Sequence, residues 1–228
     1  MTDRAFHPNF KAEPYWWEAA PPEDARELPP EKADVVIVGS GFAGLSAALE
    51  TARAGARVAV LDGGPLGGGA SSRSGGMVSS GQKLVLSEAL RGLPVAKTEA
   101  ALEDSKATFD YLKDLITREQ LDADLQLVGR FFGAFAPQHL ETLKRNAETL
   151  QRKTGVTIRI LLREEQREEV GSAYFHGGFV VEDYGGVHPA KLNKALRGAA
   201  RSAGATLHSH CRVTGTTRRC SQGRAPSL

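Results

Sequence analysis

Apolar positions follow two rhythms along this chain, and the rhythms assign its elements. Val35–Val38 is an unbroken β-branched run, as expected of a buried strand in a parallel sheet. Leu45 to Ala54 reads as a helix, and Gly55 stands near its C-cap. Arg57–Leu61 is a second apolar run that ends on Asp62, which completes one β-α-β unit. Helical spacing returns from about Ser87 to Leu121, where Phe109, Leu112, Leu115 and Ile116 form one apolar stripe. Residues 125–135, LQLVGRFFGAF, read as a strand. Pro137–Lys153 reads as a helix with Leu140, Leu143 and Leu150 on one face, closed by Gly155. VTIRILL predicts another strand, and REEQREEVG a short, solvated charged helix. AYFHGGFVVEDYGGVHP is strand-like, but two Gly-Gly pairs interrupt it, which marks a bulge or a close approach by backbone or ligand. Pro189 opens a last helix, with Leu192, Leu196, Ala199 and Ala200 buried and Gly204 at its end, and ATLHSHCRVTG is a final strand.

Three stretches lie outside these rhythms. Residues 1–33 are rich in Pro, Glu and Ala around Tyr15, Trp16 and Trp17, and predict an extended arm pinned to the body by its rings. GGGASSRSGGMVSSG, residues 67–81, has the composition of a flexible linker, yet it sits directly behind the β-α-β unit. TTRRCSQGRAPSL at the end has no apolar period, and it reads as a tail foreign to the rest, from read-through in a wrong frame to an early stop, with a natural short variant as the alternative.

The composition narrows the classes. Apolar residues are 41% and charged residues 25%, near the average of globular domains. A net charge of +2 gives no field suited to nucleic acid or a membrane surface. No apolar run reaches the roughly 20 residues of a membrane span, and the N-terminus has no signal-peptide core, so a cytoplasmic location is expected. The two cysteines make no disulfide framework.

The chemistry concentrates between the first two strands. Gly39-x-Gly41-x-x-Gly44 follows a strand and opens a helix, and Asp62 lies 18 residues past Gly44, at the end of the next strand. Gly39 permits the tight turn, Gly41 lets a pyrophosphate approach the backbone, and Gly44 lets the helix lie close to the strand. The helix N-terminus offers N–H donors and a partial positive charge. Asp62 can accept hydrogen bonds from ribose hydroxyls and would repel a 2′-phosphate, which argues against NADP. The motif does not separate NAD from FAD. The Gly/Ser run can be a linker, or its amides and Arg73 can wrap a phosphate or ribityl chain.

VVIVGSGFAGLSAALETARAGARVAVLD followed by GGGASSRSGGM resembles the FAD-dependent amine and amino-acid oxidoreductases of the D-amino-acid oxidase superfamily, nearest its γ-glutamylputrescine-oxidase-like branch. PYWWEAAPP is similar to the N-terminal segment of that branch, and EEVGSAYFHGGFVVEDYGGVHPAKLNKAL to its mid-chain stretch. The resemblance implies an α/β fold: a Rossmann-like FAD-binding domain with an inserted α+β substrate domain, both incomplete at the C-terminus. The implied organisation is an arm (1–33), the FAD-binding β-α-β and Gly/Ser loop (34–85), part of the inserted domain (86–184), a return to the FAD-binding domain (185–215) and the tail (216–228).

Carried over by residue, Gly39, Ser40, Gly41, Phe42, Ala43 and Gly44 are implied to wrap the FAD pyrophosphate, and Asp62 to hold the adenosine ribose. Gly69, Ala70, Ser71, Ser72, Arg73, Gly75, Gly76 and Met77 are implied to follow the phosphates and ribityl chain, with Met77 standing where glutamine is common. Val213, late in the final strand, is implied to meet the adenine through its backbone. The implied reaction is hydride transfer from the amine-bearing carbon of a small primary or secondary amine or amino acid to flavin. Water then hydrolyses the imine and oxygen reoxidises the flavin. No residue is nominated as catalytic. Tyr174 and His176 lie on the segment that the resemblance sets over the flavin, and strand packing is the plainer account of both.

Two other readings remain at this point: a nucleotide-binding fragment without turnover, and an NAD-binding module. His208 and His210 share one face of the predicted strand with Cys211 next to them, but three ligands fall short of a structural zinc site, and no metal is expected. No nucleophile elbow or Cys/His signature supports hydrolysis.

Overall fold

The computed structural model describes residues 6–86 and 90–217. Most of the tail at 216–228, and the start of the predicted helical stretch at residues 87–89, lie outside the described residues. The chain forms two compact units. One comprises Pro21–Ser71 and the chain from Leu196 onward, and the other the chain up to Ala20 and Ser72–Ala195.

The first unit is built on a parallel sheet in the order β1-β2-β8, with β1 at Val35–Val38, β2 at Val58–Leu61 and β8 at Thr206–His208. Helix α1, Phe42–Arg53, crosses from β1 to β2 and buries Leu45, Ala48, Leu49 and Ala52. Burying Leu45 and Leu49 contributes about 1.5–3 kcal/mol each. The helix ends where expected, with Gly55 at φ 89°. Strand β2 is central and buried, with Val35 opposite Val58 on one side and Ala59 opposite Thr206 on the other.

Strand β1 departs from its expected burial. Ile37 lies under α1, but Val36 is 56% and Val38 65% exposed. A continuous apolar run predicts cover on both faces, whereas among the described residues β1 is an edge strand covered on one. Strand β8 also stops at His208, well short of the predicted 205–215. The chain instead turns past the end of β2: the His210 amide donates to the Gly64 carbonyl and the Cys211 amide to the Asp62 carbonyl, with His210 at φ 55°.

The segment after Pro21 straps this unit. Glu23 and Leu66 exchange backbone hydrogen bonds. The Glu23 carboxylate takes Arg197 at 2.6 Å and Arg201 at 2.6 Å. Burial pushes the Arg197 guanidinium below its usual range, and Glu23 opposes that shift.

The second unit holds two antiparallel sheets. Strands β4 (Arg130–Gly133), β6 (Gly178–Val181) and β5 (Ile158–Leu161) run in the order β4-β6-β5. Helix α4, Pro137–Thr154, packs on this sheet, and Ala147, Leu150, Val156, Phe179 and Val181 make the core. Phe132 stacks on Phe179 at 4.7 Å between ring centroids. Gly155 closes α4 in the left-handed conformation, φ 68°. Strand β3 (Met77–Ser79) pairs with β7 (Tyr184–Gly186). Helix α3, Val95–Arg118, buries Leu102, Phe109, Leu115 and Ile116, while Leu112 is half-buried. A single turn, α2, covers Gln82–Leu86. Helix α5, Pro189–Ser202, contains the boundary between the units.

Two further expectations fail here for one reason, distant contacts. The strand over 125–135 is only four residues long, because Gly129 adopts φ 74° and its would-be Cβ meets the Val181 carbonyl at 3.0 Å. The charged helix over 163–171 shrinks to a 3-10 turn at Gln166–Glu168. Gln166 is buried there; its Nε2 donates to the Ser172 carbonyl, and its Oε1 accepts from the Gly177 amide.

Candidate functional site

The turn between β1 and α1 carries the first group of predicted residues. Gly39 adopts φ 97°, and a Cβ there would meet nothing within 4 Å. Gly41 is the N-cap of α1, in extended backbone and with no side chain to cap the helix. The amide of Phe42 donates to Ser71 Oγ at 3.1 Å. The amides of Gly41 and Ala43 find no acceptor among the described residues. A helix N-terminus leaves its first N–H groups without intrahelical partners, and they carry its positive dipole end. Gly44 serves packing: its Cβ would lie 2.1 Å from the Gly39 carbonyl oxygen and 3.2 Å from Ile37 Cγ2.

Asp62 and Ser40 fix the shape of this turn. Asp62 Oδ2 accepts from the Ser40 amide at 2.8 Å and from Ser40 Oγ at 2.6 Å, while Oδ1 accepts from the Gly64 amide at 3.0 Å. Ser40 Oγ in turn accepts from the Gly67 amide at 3.0 Å. Burial pushes the Asp62 carboxyl up, but the hydrogen bonds from Ser40 and Gly64, with the nearby His210, outweigh it and hold the pKa below the usual carboxylate range. The sequence assigned Asp62 a ligand and missed this clamp; the signal was the serine inside the glycine motif.

The Gly/Ser run is not a slack linker. Gly69, Ala70 and Ser71 belong to the first unit, where Ser71 reaches the first turn of α1. Ser72, Arg73, Gly75, Gly76 and Met77 belong to the second unit. There Ser72 is buried and its Oγ accepts from Trp17 Nε1 at 2.9 Å. The Arg73 guanidinium lies over the Trp17 ring, 5.9 Å from its centroid. Gly76 has φ 70°, and its Cβ would lie 2.1 Å from the Val187 carbonyl. Met77 is exposed at the start of β3. Val213 lies five residues past the last residue of β8, so its predicted place in that strand is not met.

Residues set aside earlier have structural partners. His208 is buried, with Nδ1 on the Glu27 carbonyl and Nε2 on Thr206 Oγ1, while His210 is exposed and bonds Asp24. The pair therefore does not share an exposed strand face. Tyr174 is exposed in a ring cluster with Phe135 and Phe175, and the His176 amide donates to the Ala134 carbonyl. Among the described residues, no helix is long and apolar enough to cross a membrane.

The cradle suits a dinucleotide phosphate on its own geometry. Donors point out of a helix end, the N-cap glycine brings no side chain of its own, Ser71 Oγ takes only the Phe42 amide, and the glycine before the N-cap region leaves open space. Residues 34–227 match the family described as FAD dependent oxidoreductase (DAO). The chain belongs to that family. FAD is the family's cofactor, and the donor set at the β1–α1 turn fits it. The chain is 30% identical over 203 residues to a probable oxidoreductase, OrdL, of Rhizobium meliloti, covering 85% of this chain and 46% of that protein. It is 30% identical over 183 residues to the γ-glutamylputrescine oxidoreductase of Escherichia coli, covering 79% of this chain and 42% of that protein. The crystal structure of glycine oxidase from Geobacillus kaustophilus superposes with a TM-score of 0.61 at 30% identity, over 78% of this chain and 46% of that one. An L-amino acid deaminase of Proteus vulgaris gives a TM-score of 0.67 at 20% identity, over 87% of this chain and 50% of that one, and shares the fold. The chain thus spans about half the length of the relatives it matches.

Proposed function

We propose that this chain binds FAD and serves the oxidation of a small primary or secondary amine or amino acid. The observation that carries the reading is the β1–α1 turn, where the Gly41 and Ala43 amides meet no acceptor among the described residues, beside a glycine held at positive φ. Gly39, Ser40, Gly41, Phe42, Ala43 and Gly44 would hold the pyrophosphate. Gly69–Arg73 with Gly75, Gly76 and Met77 would follow it toward the flavin ring, and the Val213 backbone would meet the adenine. Asp62 already accepts three hydrogen bonds, and a carboxylate has about four lone-pair sites, so a ribose hydroxyl would share it with the loop. Its negative charge disfavours a 2′-phosphate.

Flavin, when bound here, would supply the acceptor for hydride from the amine-bearing carbon, leaving an imine for water to hydrolyse. The chain's own contribution is placement and charge. The α1 dipole end and the Arg73 guanidinium favour the phosphates, and the Ser40–Asp62 clamp keeps the turn in its binding shape before any ligand arrives. Two relatives, named for γ-glutamylputrescine and glycine, have substrates that carry an amino group, which supports the substrate class.

The test is reconstitution. The full chain, incubated with FAD and gel-filtered, is expected to retain a flavin spectrum, while NAD titrated against its tryptophan fluorescence gives no saturation. Peroxide release on adding amines would extend the reading to turnover, and retained flavin with no peroxide would limit it to binding. Tighter binding of NAD than of FAD would overturn it.

A further inference from the structure

The N-terminal aromatic segment makes a specific contact that simple pinning does not require. Tyr15–Glu18 form a 3-10 turn after Pro14. Trp16 meets His188 edge-on, 4.8 Å between centroids. His188 Nδ1 accepts from the Lys191 amide, so Trp16 rests on the start of α5. Trp17 faces the Gly/Ser run instead. Its indole N–H donates to Ser72 Oγ, and its ring carries one side of Arg73. On the far side, the Val187 amide donates to the Gly76 carbonyl at 2.8 Å. Trp17 and Val187 thus both hold residues 72–76. A ring that only fills space needs no N–H, and phenylalanine would serve; the bond to a buried serine asks for tryptophan.

We propose that Trp17 is a positioning residue of the flavin site. It sets the conformation of Ser72 and Arg73, and through them the second glycine-rich segment presents its amides and its positive charge. The proposal rests on the flavin reading above. Trp17 acts through the loop and need not touch the cofactor.

The informative variant is Trp17→Phe, which keeps a ring under Arg73 and removes only the indole donor. Two quantities are read on the full chain: the FAD dissociation constant, from quenching of flavin fluorescence, and the rate of tryptic cleavage after Arg73 without flavin. Losing one hydrogen bond of about 1 kcal/mol predicts binding weaker by about three- to tenfold and cleavage faster by a similar factor. Ser72→Ala separates positioning from general packing. If the two residues act through one bond, Trp17→Phe added to Ser72→Ala weakens FAD binding no further. Multiplying losses would overturn the proposal, as would a Trp17→Phe protein that binds FAD like the wild type. A wild-type chain that takes up no FAD at all is a different failure: it removes the flavin reading, and the site role of Trp17 with it.

Discussion

Gly39 and Gly41 in the first unit and Gly178 and Gly185 in the second serve opposite purposes. At the β1–α1 turn, Gly39 and Gly41 keep space clear: a Cβ on Gly39 meets nothing within 4 Å, and one on Gly41 meets only Ser71 Oγ at 3.0 Å. In the two antiparallel sheets of the second unit, the space is already filled by the chain itself. A Cβ on Gly178 would lie 2.1 Å from the Phe132 carbonyl oxygen, and one on Gly185 2.4 Å from the Gln126 carbonyl oxygen. Both patterns look alike as letters. What separates them is whether the neighbour is backbone or nothing, and that depends on which strands come together.

This comparison can be broken most directly at Gly178. Gly178→Ala forces a methyl group into a backbone carbonyl within the central strand, and destabilisation by about 4 kcal/mol or more is expected in urea unfolding. A loss below about 1 kcal/mol would show that the close approach is not obligatory. The opposite outcome is expected at Gly41. Gly41→Ala adds a Cβ that meets only the Ser71 hydroxyl, so the fold should stay within about 1 kcal/mol of wild type. FAD affinity, however, should fall by about a hundredfold or more, as read by flavin fluorescence, because the side chain occupies the cradle. Equal losses of stability in both variants would erase the distinction.

The smallest effect sharpens it. Asp62→Asn keeps the shape and removes the charge that Ser40 and Gly64 hold, at an expected cost of about 1–2 kcal/mol after discounting for solvent screening. The sign with pH follows from the depressed pKa. The carboxylate's contribution is fully present above its unfolded value of about 3.9 and is lost as pH falls through the lower folded value. The stability gap between wild type and Asp62→Asn should therefore be constant near neutrality and close below about pH 4. A gap that persists into stronger acid would assign the effect to shape rather than charge.

The β-α-β unit was legible because its determinants are local: period, glycine spacing and the acid at the strand end all lie within 30 residues. The stripes of α3, α4 and α5 were legible for the same reason. The misread parts depend on partners far along the chain. Gln166 reads as one more polar residue in a charged run until Gly177 and Ser172 close around it. Val36 and Val38 read as buried, since hydrophobicity records what a strand can bury and not what covers it. Asp62 read as a ligand because its position fits one; only the fold reveals that it also grips Ser40. Ser71 was assigned to a loop along the cofactor, and its bond to Phe42 shows that it also caps the helix.

The grip of Asp62 on Ser40 bears on how such a chain could diverge. A lineage drifting toward a phosphorylated nucleotide would need to replace the acid with a neutral or basic residue, yet that step would loosen the β1–α1 turn itself. On the proposed flavin reading, ligand preference and the integrity of the turn would thus share one carboxylate, and a change at position 40 in the same episode would be one way to part them.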